Sequence, residues 1–158
     1  MARKIRFEAV YPFSPDQVWV VLTDPVALGD WLMPNDFQPT IGHRFQFRTK
    51  PAPGFSGVVD CEVLELDPPR RLAFSWAGGG VDTVVTFDLA PDGANTRMVL
   101  EQTGFKGPRG LMVSAILTGG WRRMAEQRLP AAVARVRDGV YASALQSVET
   151  PCQKDDET

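Results

Sequence analysis

The chain is predicted to be α+β, a twisted antiparallel sheet of six or seven strands wrapped around a long C-terminal helix, with two short helices after the first strand. Three observations predict this. Apolar residues alternate with polar ones at the start and again, after Gly42, over roughly sixty residues, the period of half-buried strands. Two proline-initiated helical segments interrupt that pattern, and beyond Gly107 and Pro108 the apolar spacing becomes helical.

Ile5, Phe7, Ala9 and Tyr11 alternate with Arg6, Glu8 and Val10, and Pro12 ends this first strand. Ser14 before Pro15 and Asp16 supplies an N-cap, a proline in the first helical turn and an acid where the helix dipole favours one, so a helix runs from about Pro15 to Leu22. Asp24 and Pro25 break it and start a second, with Val26, Leu28, Trp31 and Leu32 apolar, before Pro34 to Asp36 closes the pair. Phe45 and Phe47 mark the next strand, which ends at the Pro51 to Gly54 turn. Gly57 to Leu66, Leu72 to Trp76, Thr83 to Leu89 and Thr96 to Thr103 supply four more, separated by short turns that imply antiparallel hairpins. Leu72, Val85 and Leu100 share the inner face with the aromatic residues of these strands. Around Cys61 the parity conflicts: Val59, Cys61 and Val63 compete with Leu64 and Leu66, which predicts a β-bulge without placing it. An inner face so rich in aromatics requires a cover, and the helix supplies it. Trp121, Ala125, Leu129, Ala132 and Val136 form one stripe at 100° per residue, with Arg122, Arg123, Gln127 and Arg137 off it. Gly119 and Gly120 are expected to split off an earlier segment, Leu111 to Leu117, and Pro130 to kink the helix. Val140, Ala144, Leu145 and Val148 keep helical spacing, so residues 1–148 read as one domain and 149–158 as a polar, flexible tail.

Composition excludes several classes. With 158 residues, 44% hydrophobic and 23% charged, the chain is neither a disordered polymer nor a coiled coil. Seventeen basic residues against nineteen acidic give a net charge of -2, which leaves no electrostatic footprint for nucleic acid. Cys61 and Cys152 have no metal-ligand spacing and are too few for a disulfide framework. Neither a signal-peptide segment nor a run of transmembrane length is present, so the expected location is cytoplasmic.

Several pieces occur in a specific order: Val18 and Trp19 with Thr23, Asp24, Pro25 and Trp31; Gly42 with Arg44 and Phe45; Glu62 to Leu66 with Pro68 to Leu72 and Trp76; Thr96 and Arg97; Thr103 to Phe105; and Gly120 and Trp121 with Leu129. Covering about Glu8 to Arg137, they resemble the START-like helix-grip (SRPBCC) superfamily, and within it the family named after the activator of the heat-shock protein 90 ATPase. That resemblance implies a helix-grip fold with a pocket rather than a particular reaction, since such members include ligand carriers, cyclases, resistance proteins and co-chaperone domains. His43 and Cys61 stand where the family often has glycine.

The expected ligand is a small, mostly apolar molecule with a polar or anionic end, held between the sheet and the helix from Trp121 to Val136. Phe7, Phe45, Phe47, Phe74 and Phe87 would supply contact area from the sheet, together with Trp76 and Met98; Trp121 and Met124 would do so from the helix. Arg128, His43 and Gln102 would orient the polar end. Arg128 falls on the wheel beside Trp121, Ala125 and Ala132, and a cation facing the sheet needs either an internal carboxylate, such as Asp60, Glu62 or Glu101, or an anionic ligand group; the alternative is a snorkelling arginine. Met98, Met112 and Met124 suit a pocket or an ordinary core equally. Trp19 and Trp31 read as core. Gly78 to Gly80 lacks the lysine and the strand-to-helix setting of a phosphate loop. No catalytic constellation, metal site or cofactor is expected: His43 has no partnered nucleophile, and Glu62 and Glu65 have opposite strand parity. Two alternatives to simple ligand binding are a polyketide-type cyclase or dehydratase, which needs an acid or base such as His43, Asp60 or Glu62 facing the void, and a co-chaperone or other interaction module, ranked last.

Overall fold

A computed structural model describes residues 3–51, 53 and 55–137. Ala52 and Gly54 of the expected first turn, the helical spacing at 140–148 and the tail at 149–158 lie outside the described residues. Six antiparallel strands, β1 (Arg3–Tyr11), β2 (Arg44–Arg48), β3 (Val58–Asp67), β4 (Arg71–Gly78), β5 (Val81–Asp92) and β6 (Asn95–Phe105), form one sheet in the order β1-β6-β5-β4-β3-β2. Strands β2 to β6 follow one another as hairpins, whereas β1 reaches its place beside β6 through the crossover containing helices α1 (Pro15–Thr23) and α2 (Pro25–Trp31). Both helices are capped as their residues predict. Ser14 Oγ accepts from Gln17 N (3.3 Å) while Gln17 Oε1 accepts from Ser14 N (3.2 Å), and Asp24 Oδ2 accepts from Ala27 N (2.9 Å).

Strand parity follows the apolar alternation. The conflict in β3 is resolved by a bulge: Val63 pairs with Phe74 and Glu65 with Ala73, so Leu64 is the extra residue and turns outward while Val59, Cys61 and Val63 are buried. Between β4 and β5 the two-residue loop Gly79–Gly80 has positive φ at both positions, 64° and 85°, as a type I′ hairpin turn requires. This is why glycines stand there.

The long helical segment differs from expectation in two ways. Helix α3 (Gly107–Arg123) runs unbroken through Gly119 and Gly120. The irregularity lies four residues later, as a π-helical turn at Met124–Arg128, before α4 (Leu129–Arg137) continues the helix. Pro130 accounts for it. In a regular helix the Ala125 carbonyl would accept from Leu129, but the Leu129 N–H turns to Met124 O, one residue further back, and Pro130 has no N–H to offer. The orphaned Ala125 carbonyl is satisfied from the sheet: Tyr11, at the end of β1, donates its hydroxyl at 2.7 Å, buried.

The extra residue held in that turn rotates the later part of the helix by about 100° relative to a regular wheel. Trp121, Ala125, Leu129, Ala132, Val133 and Val136 are buried, whereas Arg128, which the regular wheel places among them, is exposed. The expectation that Arg128 faces the sheet is therefore corrected. It is α1 and α2 that α4 packs on, with Arg135 3.5 Å from Asp30, and α1 in turn touches β5 and β6. The two short helices thus support the C-terminal half of the long helical segment.

Replacing Tyr11 by Phe leaves a buried carbonyl without a donor and is expected to cost about 1–3 kcal/mol in a urea denaturation. In Pro130→Ala the restored N–H can serve that carbonyl, so the Tyr11→Phe penalty is expected to shrink by about half or more in the double variant; equal penalties in both backgrounds would disprove the coupling.

Candidate functional site

Most of the inner sheet face is closed by its own aromatic rings. Phe47 lies 5.9 Å from Phe74, Phe74 6.1 Å from Phe87 and Phe87 6.1 Å from Trp121, centroid to centroid, while Phe45 meets Phe47 at 5.4 Å and Phe74 at 5.5 Å. Trp31 adds its edge to Phe87 at 6.2 Å, and its indole N–H donates to Val21 O at 2.7 Å. Met98 is buried in the same cluster. The buried polar groups beside these rings satisfy one another. Trp121 Nε1 donates to Gln102 Oε1 (2.8 Å), Gln102 Nε2 donates to Thr83 Oγ1 (2.8 Å), and the Thr83 hydroxyl donates to Trp76 O (3.0 Å). Gln102 is thereby corrected from a ligand-orienting residue to the centre of a structural chain joining helix α3 to β4, β5 and β6.

The opening lies next to this block, toward the N-terminal half of α3. A cleft of about 260 Å³ runs between that half-helix and the ends of β3 and β4. Val59 and Trp76 supply the sheet wall, Met112, Val113, Ile116 and Leu117 the helix wall, and Pro53 and Phe55 the flank. Met112 and Ile116 are 53% and 67% exposed, unusual for large apolar side chains on the walls of a groove. Trp76 is 4% exposed and is backed by Phe47 and Trp121 of the aromatic block. At the side of the β4–β5 turn lies Arg109, whose Nε donates to Gly79 O at 2.7 Å. A Cβ at Gly80 would run into the Arg109 side chain, so the glycine hairpin makes room for this cation.

Of the residues expected to contact a ligand, Trp76 lines the cleft; Phe45, Phe47, Phe74, Phe87, Met98 and Trp121 are buried in the aromatic block, and Phe7 and Met124 are half-buried against it. His43 lies elsewhere, stacked parallel on Phe45 with 6.3 Å between centroids and its Nε2 3.0 Å from Asp36 O. Asp60 and Glu62 border a second depression of about 510 Å³ with Arg44, Gln46 and Ser75. There Asp60 accepts from Gln46 Nε2 (2.8 Å), and Glu62 lies 3.6 Å from Arg44. Among the described residues, no carboxylate, histidine or cysteine lines the apolar cleft. Sequence reasoning missed Arg109, Val113 and Ile116; the available signal was the run of apolar residues from Leu111 to Leu117 opposite a glycine hairpin.

This arrangement, a concave antiparallel sheet gripping a long C-terminal helix with two short helices in the crossover, defines the helix-grip class. A family model described as activator of Hsp90 ATPase homolog 1-like protein matches residues 12–134, and the chain belongs to that family. Among solved structures, protein MLL2253 from Mesorhizobium loti is 32% identical, with a TM-score of 0.76 over 84% of this chain and 98% of that one. DynU16, from the dynemicin biosynthetic locus, is 24% identical (TM-score 0.70, 83% of this chain, 47% of that one), and CalU16 from Micromonospora echinospora is 22% identical (0.69, 92% and 85%). The last two show likeness of fold. No curated protein matches. Family and fold together support a ligand-binding architecture, and no helix among the described residues is long and apolar enough to cross a membrane.

Burial, reinforced by Asp60 and Asp36, pushes the Cys61 thiol above its usual range, and burial does the same to the Tyr11 hydroxyl. Both groups have raised values in the fold, so their contribution is complete below the unfolded values and lost as pH rises past them. Stability is expected to fall from about pH 8.5 upward, more steeply above about pH 10. In a Cys152→Ser background, Cys61 is expected to resist iodoacetamide at neutral pH and react on unfolding; rapid labelling of the native protein would contradict its burial.

Proposed function

We propose that this chain is a cytoplasmic binding protein for one small, mostly apolar molecule with a polar or anionic end, taken up in the cleft between α3 and the ends of β3 and β4. The observation that carries this reading is an apolar groove whose helix wall keeps Met112 and Ile116 largely in contact with solvent. Covering such side chains is favourable by about 25 cal/mol per Å² of apolar surface removed from water. Arg109 takes the orienting role first expected of Arg128, because among the described residues it is the charged one on the cleft lining.

The cyclase or dehydratase alternative is less well supported. A proton-transfer step needs an acid or base within hydrogen-bond reach of the substrate. The three groups considered for that task sit at the Asp36 carbonyl, in the case of His43, or beside the polar depression, in the cases of Asp60 and Glu62. The co-chaperone reading draws on the family name and has no comparable groove chemistry behind it.

Calorimetric titration with hexanoate and with 1-hexanol tests the proposal. The wild type is expected to bind both and to prefer the carboxylate. Arg109→Ala is expected to weaken hexanoate by about 1.5–3 kcal/mol while leaving 1-hexanol within a factor of about two. Equal losses for the two ligands, or no binding of either, would refute it.

A further inference from the structure

One wall of the cleft is held rigidly. Resting on the binding reading above, we propose that Trp76, locked by Trp121, Gln102 and Thr83, is the specificity-determining wall that limits the ligand to a short chain, with short-chain monocarboxylates as the class that fits. Behind the Trp76 ring, Phe47 and Trp121 stand 5.7 and 5.6 Å away, so a ligand tail that reaches Trp76 meets an occupied aromatic block. Trp121 in particular does not yield easily. The Trp121 indole N–H is held by Gln102, Gln102 by Thr83, and the Thr83 hydroxyl returns to the carbonyl of Trp76 itself, all in a buried setting where a broken bond leaves an unsatisfied group. Volume agrees with this reading. At about 260 Å³ the cleft lies below the usual range of about 300–1,000 Å³ for small-molecule sites, which favours a short chain over a long one. With Arg109 beside the β4–β5 turn and Trp76 backed by Phe47 and Trp121, the headgroup and the tail would each meet a defined stop.

The experiment is a calorimetric series of straight-chain carboxylates from butanoate to dodecanoate on the full chain. Affinity in the wild type is expected to rise about fourfold for each added methylene up to roughly hexanoate or octanoate and then to level off. Trp76→Ala opens the space in front of Phe47 and Trp121 and moves the level-off to chains longer by two or more carbons. Val113→Phe narrows the cleft from the helix side and moves it to shorter chains; it decides the question alone if Trp76→Ala does not fold. A wild-type affinity that keeps climbing through dodecanoate, or a level-off at the same length in all folded variants, overturns the length rule while leaving the binding reading intact. If no chain binds the wild type, the binding reading fails and the rule falls with it.

Discussion

A missing N–H organises much of this molecule. Pro130 cannot donate to the preceding turn, and the helix answers by widening at Met124–Arg128, which leaves the Ala125 carbonyl to the hydroxyl of Tyr11. That one contact joins the first strand to a helix more than a hundred positions later. It also fixes the rotation between the two halves of the helical segment, so that α3 faces β1, β5 and β6 while α4 settles on α1 and α2. Which side chains of the helix reach the sheet, and which reach water, depends on that rotation.

The same rotation decides where space stays open. Where α4 meets the short helices and Trp121 meets the sheet, aromatic rings and aliphatic side chains fill the interior, and among the described residues no buried side-chain polar atom lacks a partner. Toward the start of α3 the β4–β5 turn is Gly79–Gly80, with no side chains to offer, and the helix presents Met112, Val113 and Ile116 to the strand ends carrying Val59 and Trp76. The groove persists beside that glycine turn, with Trp76 as part of its wall.

Much of the fold was legible because its signals are local and repeated. The alternation of Phe45 with Phe47, of Leu72 through Trp76 and of Met98 with Leu100 reports one buried face per strand, and Ser14 and Asp24 announce helix starts through their own side-chain acceptors. The β3 bulge was legible as a conflict but not as a position, since Leu64 and Val63 are equally apolar and only pairing with Phe74 and Ala73 decides between them. The helix departs from its sequence pattern at two points for related reasons. Gly119 and Gly120 carry a propensity penalty of about 1 kcal/mol each, which the burial of Trp121 outweighs, and a wheel that places Arg128 inside assumes a constant 100° per residue through a turn that Pro130 has widened. Of the site, Trp76 was visible from strand parity. Arg109 and Ile116 were not, because the apolar run from Leu111 to Leu117 marks a face without saying where the helix crosses the sheet.

Membership in the family fixes the architecture and leaves the ligand to be read from this chain's own cleft. Observing the methyl groups of Met112, Val113 and Ile116 and the indole N–H groups by heteronuclear NMR during a hexanoate titration tests the central claim most directly. The account predicts saturable shifts at these three methyls and at Trp76, with Trp31 unmoved. Saturable shifts centred instead on Leu129 to Val136, or an unchanged spectrum at millimolar ligand, would contradict it.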